Sequence, residues 1–353
     1  MIAFISLLLT PLFSHAEERP LSQIKLPRGF KIEVVVDIPG ARSLVESPSG
    51  TLFVSTRDEG KVYAYRDKKL FVLATGLTAP NGIDFLDGAL YIAETGRISR
   101  LDRVEADLLH PPKPKIIVTD LPTQAHHGWR YMRFGPDHKL YLSVGAPCNV
   151  CKVDDPLGTI MRMNRDGSNR EVYARGVRDS VGFDWDPASH ELWFTDNGRD
   201  MLGDEHPPDE LNHASHSGMH FGFPFCHGGD EPDPDFGKEH PCSEFVAPVQ
   251  KIPAHDASLG MRFYNGKMFP SEYRGNILIA EHGSWNRSTP RGYRVSRVRL
   301  GSDGSSQGYE VFAEGWLQGG RAWGRPVDVL IAHDGSVLIS DDYSGAVYRI
   351  SYR

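Results

Sequence analysis

Ala125-His126-His127-Gly128-Trp129-Arg130-Tyr131-Met132-Arg133-Phe134-Gly135-Pro136-Asp137, running into Leu140-Tyr141-Leu142-Ser143-Val144-Gly145, is the stretch whose reading decides the fold. Its second half alternates apolar and polar residues at period two around a Gly-Pro-Asp turn, which is the signal of a β-hairpin. Its first half sets two histidines where the first strand begins. Imidazole titrates nearest neutrality of all side chains, so it suits proton transfer or metal ligation. A His-His pair alone is weak evidence, and its weight comes from the recurrence of the hairpin around it.

The hairpin returns six times, with leucines at 52, 90, 140, 192, 278 and 338. Each heads a short apolar strand, such as Leu52-Phe53-Val54-Ser55 or Leu192-Trp193-Phe194-Thr195, and most follow another strand ending in a turn. Repeats of roughly forty to fifty residues with three or four strands each mark a β-propeller. The reading is all-β, a six-bladed β-propeller over residues 30–353. The last repeat has only three strands, and Phe30 to Val36 is a spare strand that would complete it and leave no open edge. An open sandwich array explains six matching units less well. Between Leu192 and Leu278 the spacing stretches to 86 residues, so a long loop excursion, stapled by a disulfide, is expected in the fourth blade.

The 353 residues carry 39 Lys plus Arg against 46 Asp plus Glu, interspersed and without a basic block, which argues against nucleic acid as a partner. Gly 36 and Pro 25 suit many strands joined by turns. Ile2 to Phe13 is apolar but too short to span a bilayer, and Ser14 and Ala16 suit signal-peptidase cleavage. Residues 1–16 therefore read as a signal peptide, 17–29 as an N-terminal extension, and the mature protein as periplasmic or secreted with no membrane span. In an exported chain the four cysteines default to disulfides, and the local pairings are Cys148 with Cys151 and Cys226 with Cys242. A four-cysteine zinc site is the rival, but only one pair has Cys-x-x-Cys spacing.

In a propeller the residues just before each blade's first strand meet at one mouth. Here they are Arg42, Asn81, His127, Arg178 with Asp179, His255 with Asp256, and Arg325; the ends of the second strands add Arg57, Glu94, Asp196 with Asn197, Glu281 with His282, and Asp341 with Asp342. Such a mouth suits a small polyanionic or polyhydroxylated molecule. Thr195-Asp196-Asn197-Gly198-Arg199-Asp200 is dense in the oxygen ligands Ca²⁺ takes, although an ordinary Asn-Gly turn has the same composition. The series His213, His216, His220 and His227 lies in a Pro/Gly-rich stretch and reads as structural.

His127 eight residues before Gly135-Pro136-Asp137, together with Tyr141-Leu142-Ser143-Val144-Gly145, resembles the active-site segment of the soluble glucose/sorbosone dehydrogenases. Arg175-Gly176-Val177-Arg178-Asp179-Ser180 through to Asp196-Asn197-Gly198, and Asp209-Glu210-Leu211-Asn212 through to Phe221-Gly222-Phe223-Pro224, resemble the same family. Ala146-Pro147-Cys148-Asn149-Val150-Cys151 and Glu281-His282-Gly283-Ser284-Trp285-Asn286-Arg287 look closest to its sorbosone-dehydrogenase-like branch. The likeness runs from about Phe30 to the end.

The resemblance implies a six-bladed propeller using pyrroloquinoline quinone (PQQ) and Ca²⁺. It implies an oxidoreductase that oxidises an aldose, a sorbosone-like sugar or a related polyol by hydride transfer to PQQ and passes electrons to a quinone or small redox protein. His127 would be the general base and Arg178 would sit near the developing negative charge. The backbone carbonyls of Gly198 and Arg199 would hold Ca²⁺. Asp179, Asn197, His282, Asn286, Arg325 and Asp342 are the remaining cofactor-binding candidates. The glucose-dehydrogenase branch has Asp immediately before the base, where this chain has His126, and its Arg-Asn pair reads Arg178-Asp179 here. Two further readings stand beside this one. The first is a gluconolactonase-like propeller hydrolase with a metal held by Asn81, Glu94 and Asp196; the second is a non-catalytic propeller that binds a glycan or protein.

Overall fold

The computed structural model describes residues 19–353; the expected signal peptide lies outside them. Six antiparallel sheets form the blades of a propeller, with first strands Ala41–Glu46, Gly82–Leu86, Met132–Phe134, Phe183–Trp185, Ser258–Phe263 and Pro326–Ile331. These inner strands stand against one another around the axis. The ring closes as the spare strand requires. Phe30–Asp37 pairs antiparallel with Ala346–Tyr352, from Phe30 opposite Tyr352 to Asp37 opposite Ala346, and becomes the outermost strand of blade six.

The recurring leucine strand is the second of each blade: Leu52–Thr56, Ala89–Ala93, Leu140–Val144, Leu192–Asp196, Ile277–Glu281 and Val337–Asp341. Every residue of all six is buried, because each is covered by the neighbouring blades on both faces. The aromatic residue after the leucine has a specific partner, an aromatic residue on the next blade's first strand. Phe53 stacks on Phe85 with ring centres 5.5 Å apart, and Tyr91 meets Phe134 edge-on at 4.8 Å. Tyr141 meets Trp185 at 4.9 Å, and Trp193 meets Phe263 at 5.7 Å. Such pairs add about 0.5–1.5 kcal/mol each beyond area burial. The Leu-aromatic motif is thus the stitch between blades.

A polar stitch runs nearer the axis. Asp84, Asp184 and Asp328, on blades two, four and six, each accept a backbone N–H from the following blade: Phe134 at 2.6 Å, Phe263 at 3.0 Å and Leu44 at 2.9 Å. Arg133 donates to Asp184 Oδ1 at 2.5 Å, and Arg262 lies 3.6 Å from Asp328. Burial pushes the carboxyls of Asp84 and Asp328 up, and the N–H donors and arginines oppose that shift.

Blade four refines the expectation. The 86-residue interval holds an excursion, but Asp209–Ala214 and Gln250–Ile252 within it are the blade's third and fourth strands, with Thr195 opposite Leu211. The excursion proper runs between them. It lends Met219–His220 to blade three as a fifth, parallel strand, and it is stapled by Cys226–Cys242. The other disulfide is Cys148–Cys151, and no free cysteine remains. Among the described residues no helix is long and apolar enough to cross a membrane.

Candidate active site

The loops that enter the first strands leave a cavity of about 390 Å³ at one mouth of the axis. Arg42, His127, Arg178, Asp179, His255 and Arg325, all expected from their place before a first strand, line it, as do Arg57, Asn197 and His282. Asn81 stands behind Arg42 and accepts its Nε–H at 2.8 Å.

His127 sits at φ 47°, in the left-handed region few non-glycine residues occupy, and the strain is sustained by its neighbours. A Cβ on Gly145 would lie 2.6 Å from His127 Cβ and 2.8 Å from its carbonyl oxygen, so only glycine lets the second strand of blade three pass this close. Nδ1 lies 2.8 Å from the Ala146 carbonyl, which can only accept, so Nδ1 carries the proton and Nε2 is left with its lone pair. Nε2 faces Asp179 Oδ2 at 3.8 Å, too far for a hydrogen bond but close enough to stabilise an imidazolium. Burial pushes the His127 pKa below its ordinary value; Asp179 opposes this, while Arg178 and His126 add to it. The ring is therefore neutral at neutral pH, with the Asp179 carboxylate near its unprotonated nitrogen.

Arg178 is held on every side. Its Nε donates to the Asn149 carbonyl at 2.8 Å, Nη2 to Asn149 Oδ1 at 2.9 Å and to Asp200 Oδ2 at 3.1 Å, and Nη1 to the Asn197 carbonyl at 3.2 Å. Beneath it the buried Asp196 accepts the backbone N–H groups of Arg178 and Asp179 at 2.8 and 2.6 Å, which turns these two side chains into the mouth. Desolvation, reinforced by Glu210, pushes the Asp196 carboxyl well above the usual range.

Arg325 differs from the other mouth arginines. Arg42 pairs with Asp342 at 2.9 Å, Arg57 with Asp58 at 2.8 Å and Arg178 with Asp200. Arg325 instead donates to the carbonyls of His282 and Gly283 at 3.0 and 2.7 Å, and no described carboxylate pairs with it. Asp342 lies outside the mouth lining, with its carboxylate between Arg42 and His282 Nε2, the latter at 2.8 Å. These partners hold Asp342 below the usual carboxylate range, and burial pushes His282 down to about 4. Asn286 is likewise outside the lining, and its Nδ2 donates to Asp200 Oδ1 at 2.9 Å.

At the proposed cation position the Arg199 side chain turns away to Asp233 and Asp235, at 2.6 and 3.2 Å, so only its carbonyl is available as a ligand. The Gly198 N–H is held by Asp209 Oδ1 at 2.9 Å, and burial pushes that carboxyl up to about 7. Asn197 Oδ1 and Asn212 Oδ1 are buried acceptors without a partner. Of the two, Asn197 lines the mouth beside Asp200 and Asp209, and its orphaned oxygen fits a hard cation, whereas Asn212 lies outside that lining.

Some expected residues do not converge. Glu94 pairs with Arg97 in a separate cavity, Asp256 and Glu281 are taken by Arg294, and Asp341 caps its own turn at Tyr343 and Ser344. The metal set Asn81, Glu94 and Asp196 is therefore not assembled. Conversely, Trp129, Trp285 and Asp209 line the mouth without having been singled out. The tryptophans close the motifs His127-Gly128-Trp129, ahead of a first strand, and His282-Gly283-Ser284-Trp285, just after a second strand.

The sequence model of the glucose/sorbosone dehydrogenases matches residues 93–349. A Borreliella burgdorferi protein described as uncharacterized is 35% identical over 353 aligned residues, covering 96% of this chain and 93% of that protein. A pyrroloquinoline quinone-dependent pyranose dehydrogenase of Coprinopsis cinerea is 31% identical over 126 residues, 30% of this chain and 16% of that protein. Among solved structures, the holo PQQ domain of the Coprinopsis cinerea pyranose dehydrogenase has a TM-score of 0.77 at 19% identity, covering 93% of this chain and 97% of that one. The PQQ-bound aldose sugar dehydrogenase of Streptomyces coelicolor has 0.68 at 20%, covering 93% and 100%. The solved structures share the propeller fold, and the family match spans most of the chain: this protein belongs to the glucose/sorbosone dehydrogenase family.

Proposed function

We propose that this protein is a PQQ- and Ca²⁺-dependent dehydrogenase that oxidises an aldose, a sorbosone-like sugar or a related polyol outside the cytoplasm and hands the electrons to a quinone or small redox protein. The observation that carries the reading is a buried neutral imidazole, Nε2 free and backed by a carboxylate, facing a cavity with an unpaired arginine.

A tricarboxylate fits this mouth. Arg325, with no described carboxylate partner, would bind its acidic rim, and Arg178 would contact the ring system. The carbonyls of Gly198 and Arg199 would hold Ca²⁺ beside the unpartnered Asn197 Oδ1. Bound PQQ would supply the two-electron acceptor. His127 Nε2 takes the substrate hydroxyl proton; its Nδ1–H stays on Ala146, which fixes the ring and the tautomer. Asp179 stabilises the imidazolium once formed, and Arg178 places positive charge where negative charge develops. Trp129 and Trp285 offer apolar faces to the sugar and limit water at the mouth.

The test is reconstitution. Purified protein loaded with PQQ and Ca²⁺ should reduce an artificial dye with at least one member of an aldose and polyol panel and should be silent without PQQ. Lactone hydrolysis without PQQ, and no dye reduction with it, would select the hydrolase instead.

A further inference from the structure

Resting on that reading, one short loop holds both groups the reaction uses. Residues 145–152 leave the second strand of blade three. Ala146 fixes His127 through its carbonyl and donates its own N–H to the Arg178 carbonyl at 2.8 Å. Three residues on, Asn149 grips the Arg178 side chain twice, with its backbone carbonyl on Nε at 2.8 Å and its Oδ1 on Nη2 at 2.9 Å. The same Oδ1 accepts the Asp200 N–H at 2.8 Å, and Asn149 Nδ2 donates to the Asp200 carbonyl at 3.1 Å. Asn149 therefore also sets Asp200, the carboxylate that pairs with the arginine. Two grips from one residue on one guanidinium need its φ, ψ and χ angles fixed together.

Secondary structure does not fix them. Residues 147–153 are irregular and make no backbone–backbone hydrogen bond among those of the described residues. Besides the Asn149 contacts themselves and the exposed Lys152–Glu239 pair, what constrains the loop is the Cys148–Cys151 disulfide, which closes the chain directly around Asn149. We propose that Asn149 is a positioning residue for Arg178, and that the Cys148–Cys151 disulfide locks it there, so that the mouth is competent only in the oxidised protein. Both cysteines are partly exposed; in the other disulfide Cys242 is partly exposed too and Cys226 is buried. A dithiol reductant can therefore reach the Cys148–Cys151 bridge from solvent. One thiolate attacks a sulfur to give a mixed disulfide; the second thiol closes the reductant's own ring, leaving Cys148 and Cys151 as thiols. A freed loop then loses the geometry of both grips.

The experiment titrates PQQ, with Ca²⁺ present, by quenching of tryptophan fluorescence, since Trp129 and Trp285 line the mouth. Asn149→Leu, which keeps volume and removes the acceptor, should weaken PQQ binding by a factor of roughly 10 to 100, the worth of a charge-assisted hydrogen bond. Asn149→Asp, which keeps an acceptor, should recover most of the loss. Dithiothreitol on the wild type should weaken binding like the leucine variant and raise hydrogen–deuterium exchange in residues 145–152. A Cys148→Ser/Cys151→Ser variant should bind weakly and be indifferent to dithiothreitol. Unchanged titration by the leucine variant or by folded, reduced wild type would overturn the inference alone. A wild type that binds no PQQ would overturn the proposed function and the inference with it.

Discussion

Asp179→Asn separates a base that merely sits in the mouth from one whose charged form the mouth is built to receive. Asparagine keeps the shape and leaves the backbone N–H on Asp196 undisturbed. It removes one negative charge 3.8 Å from His127 Nε2. At an effective dielectric near 20, a unit pair at that distance attracts by about 4 kcal/mol. If roughly half a proton's charge has reached the ring at the barrier, about 2 kcal/mol of transition-state stabilisation disappears, or about 30-fold in turnover. The pH profile gives a second, independent sign. Asp179 raises the His127 pKa against the burial that lowers it, so without it the imidazole stays neutral to lower pH. The variant should therefore show a lower plateau and an acid limb displaced to lower pH. The assay is dye reduction at saturating sugar, PQQ and Ca²⁺ across the acid and neutral range, with thermal melting of the free protein as a folding control. A plateau within threefold of wild type, or a limb displaced to higher pH, would refute the assignment of Asp179 as the counter-charge of the base.

His127→Gln should fold and bind PQQ but lose turnover by a factor on the order of 10² to 10⁴, while His126→Ala loses less; the reverse order, by the same dye assay, would place the base one residue earlier. Gly145→Ala should displace His127, whose Cβ and carbonyl oxygen would lie 2.6 and 2.8 Å from the new methyl, so kcat should fall, and Tm should fall with it because the clash is with backbone rather than with a flexible side-chain end. Arg325→Ala should weaken PQQ binding by roughly tenfold or more, the loss of a charged donor, with little change in thermal stability. An unaltered PQQ titration would move the acidic rim elsewhere in the mouth.

The fold was legible because the signal that repeats in the chain is the contact that joins the blades. Leucine followed by an aromatic marks a strand buried on both faces, and Phe53, Tyr91, Tyr141 and Trp193 each meet an aromatic of the next blade. The third strand of blade four escaped because Asp209-Glu210-Leu211-Asn212 spends its inward positions on carboxylates and an amide. Burial there holds Glu210 up at about 7, and no apolar alternation advertises the strand. The mouth was legible where a residue precedes a first strand, since the propeller topology alone brings Arg42, His127, Arg178 and Arg325 together. At second-strand ends it was legible only in part: Arg57, Asn197 and His282 line it, whereas Glu94, Glu281 and Asp341 do not. A carboxylate there can equally satisfy an arginine of its own blade, as Glu281 does with Arg294, or cap its own turn, as Asp341 does. Nor could spacing reveal Asn149, whose role depends on a loop folding back over the next blade.

Charge compensation gives the mouth a direction. Arg42, Arg57 and Arg178 each have a carboxylate within 3.1 Å, so at long range they count for little, although their hydrogen bonds still order the wall. Among the described residues lining the mouth, Arg325 is the guanidinium left without one. An anion entering from solvent is therefore drawn toward blade six. His127 stands with Asp179 toward blades three and four, where an extra anion would be repelled. The unpaired arginine and His127 line the same cavity of about 390 Å³ from different blades, so under the proposed function the charged end of a ligand would be sorted from the place where His127 would take a proton before any close contact forms. His126, standing where the glucose-dehydrogenase branch has aspartate, agrees with this division. An additional carboxylate beside the base would have added negative charge to the side that already carries Asp179. The chain instead takes its counter-charge from the neighbouring blade, where the two oxygens of Asp196 fix it through the backbone.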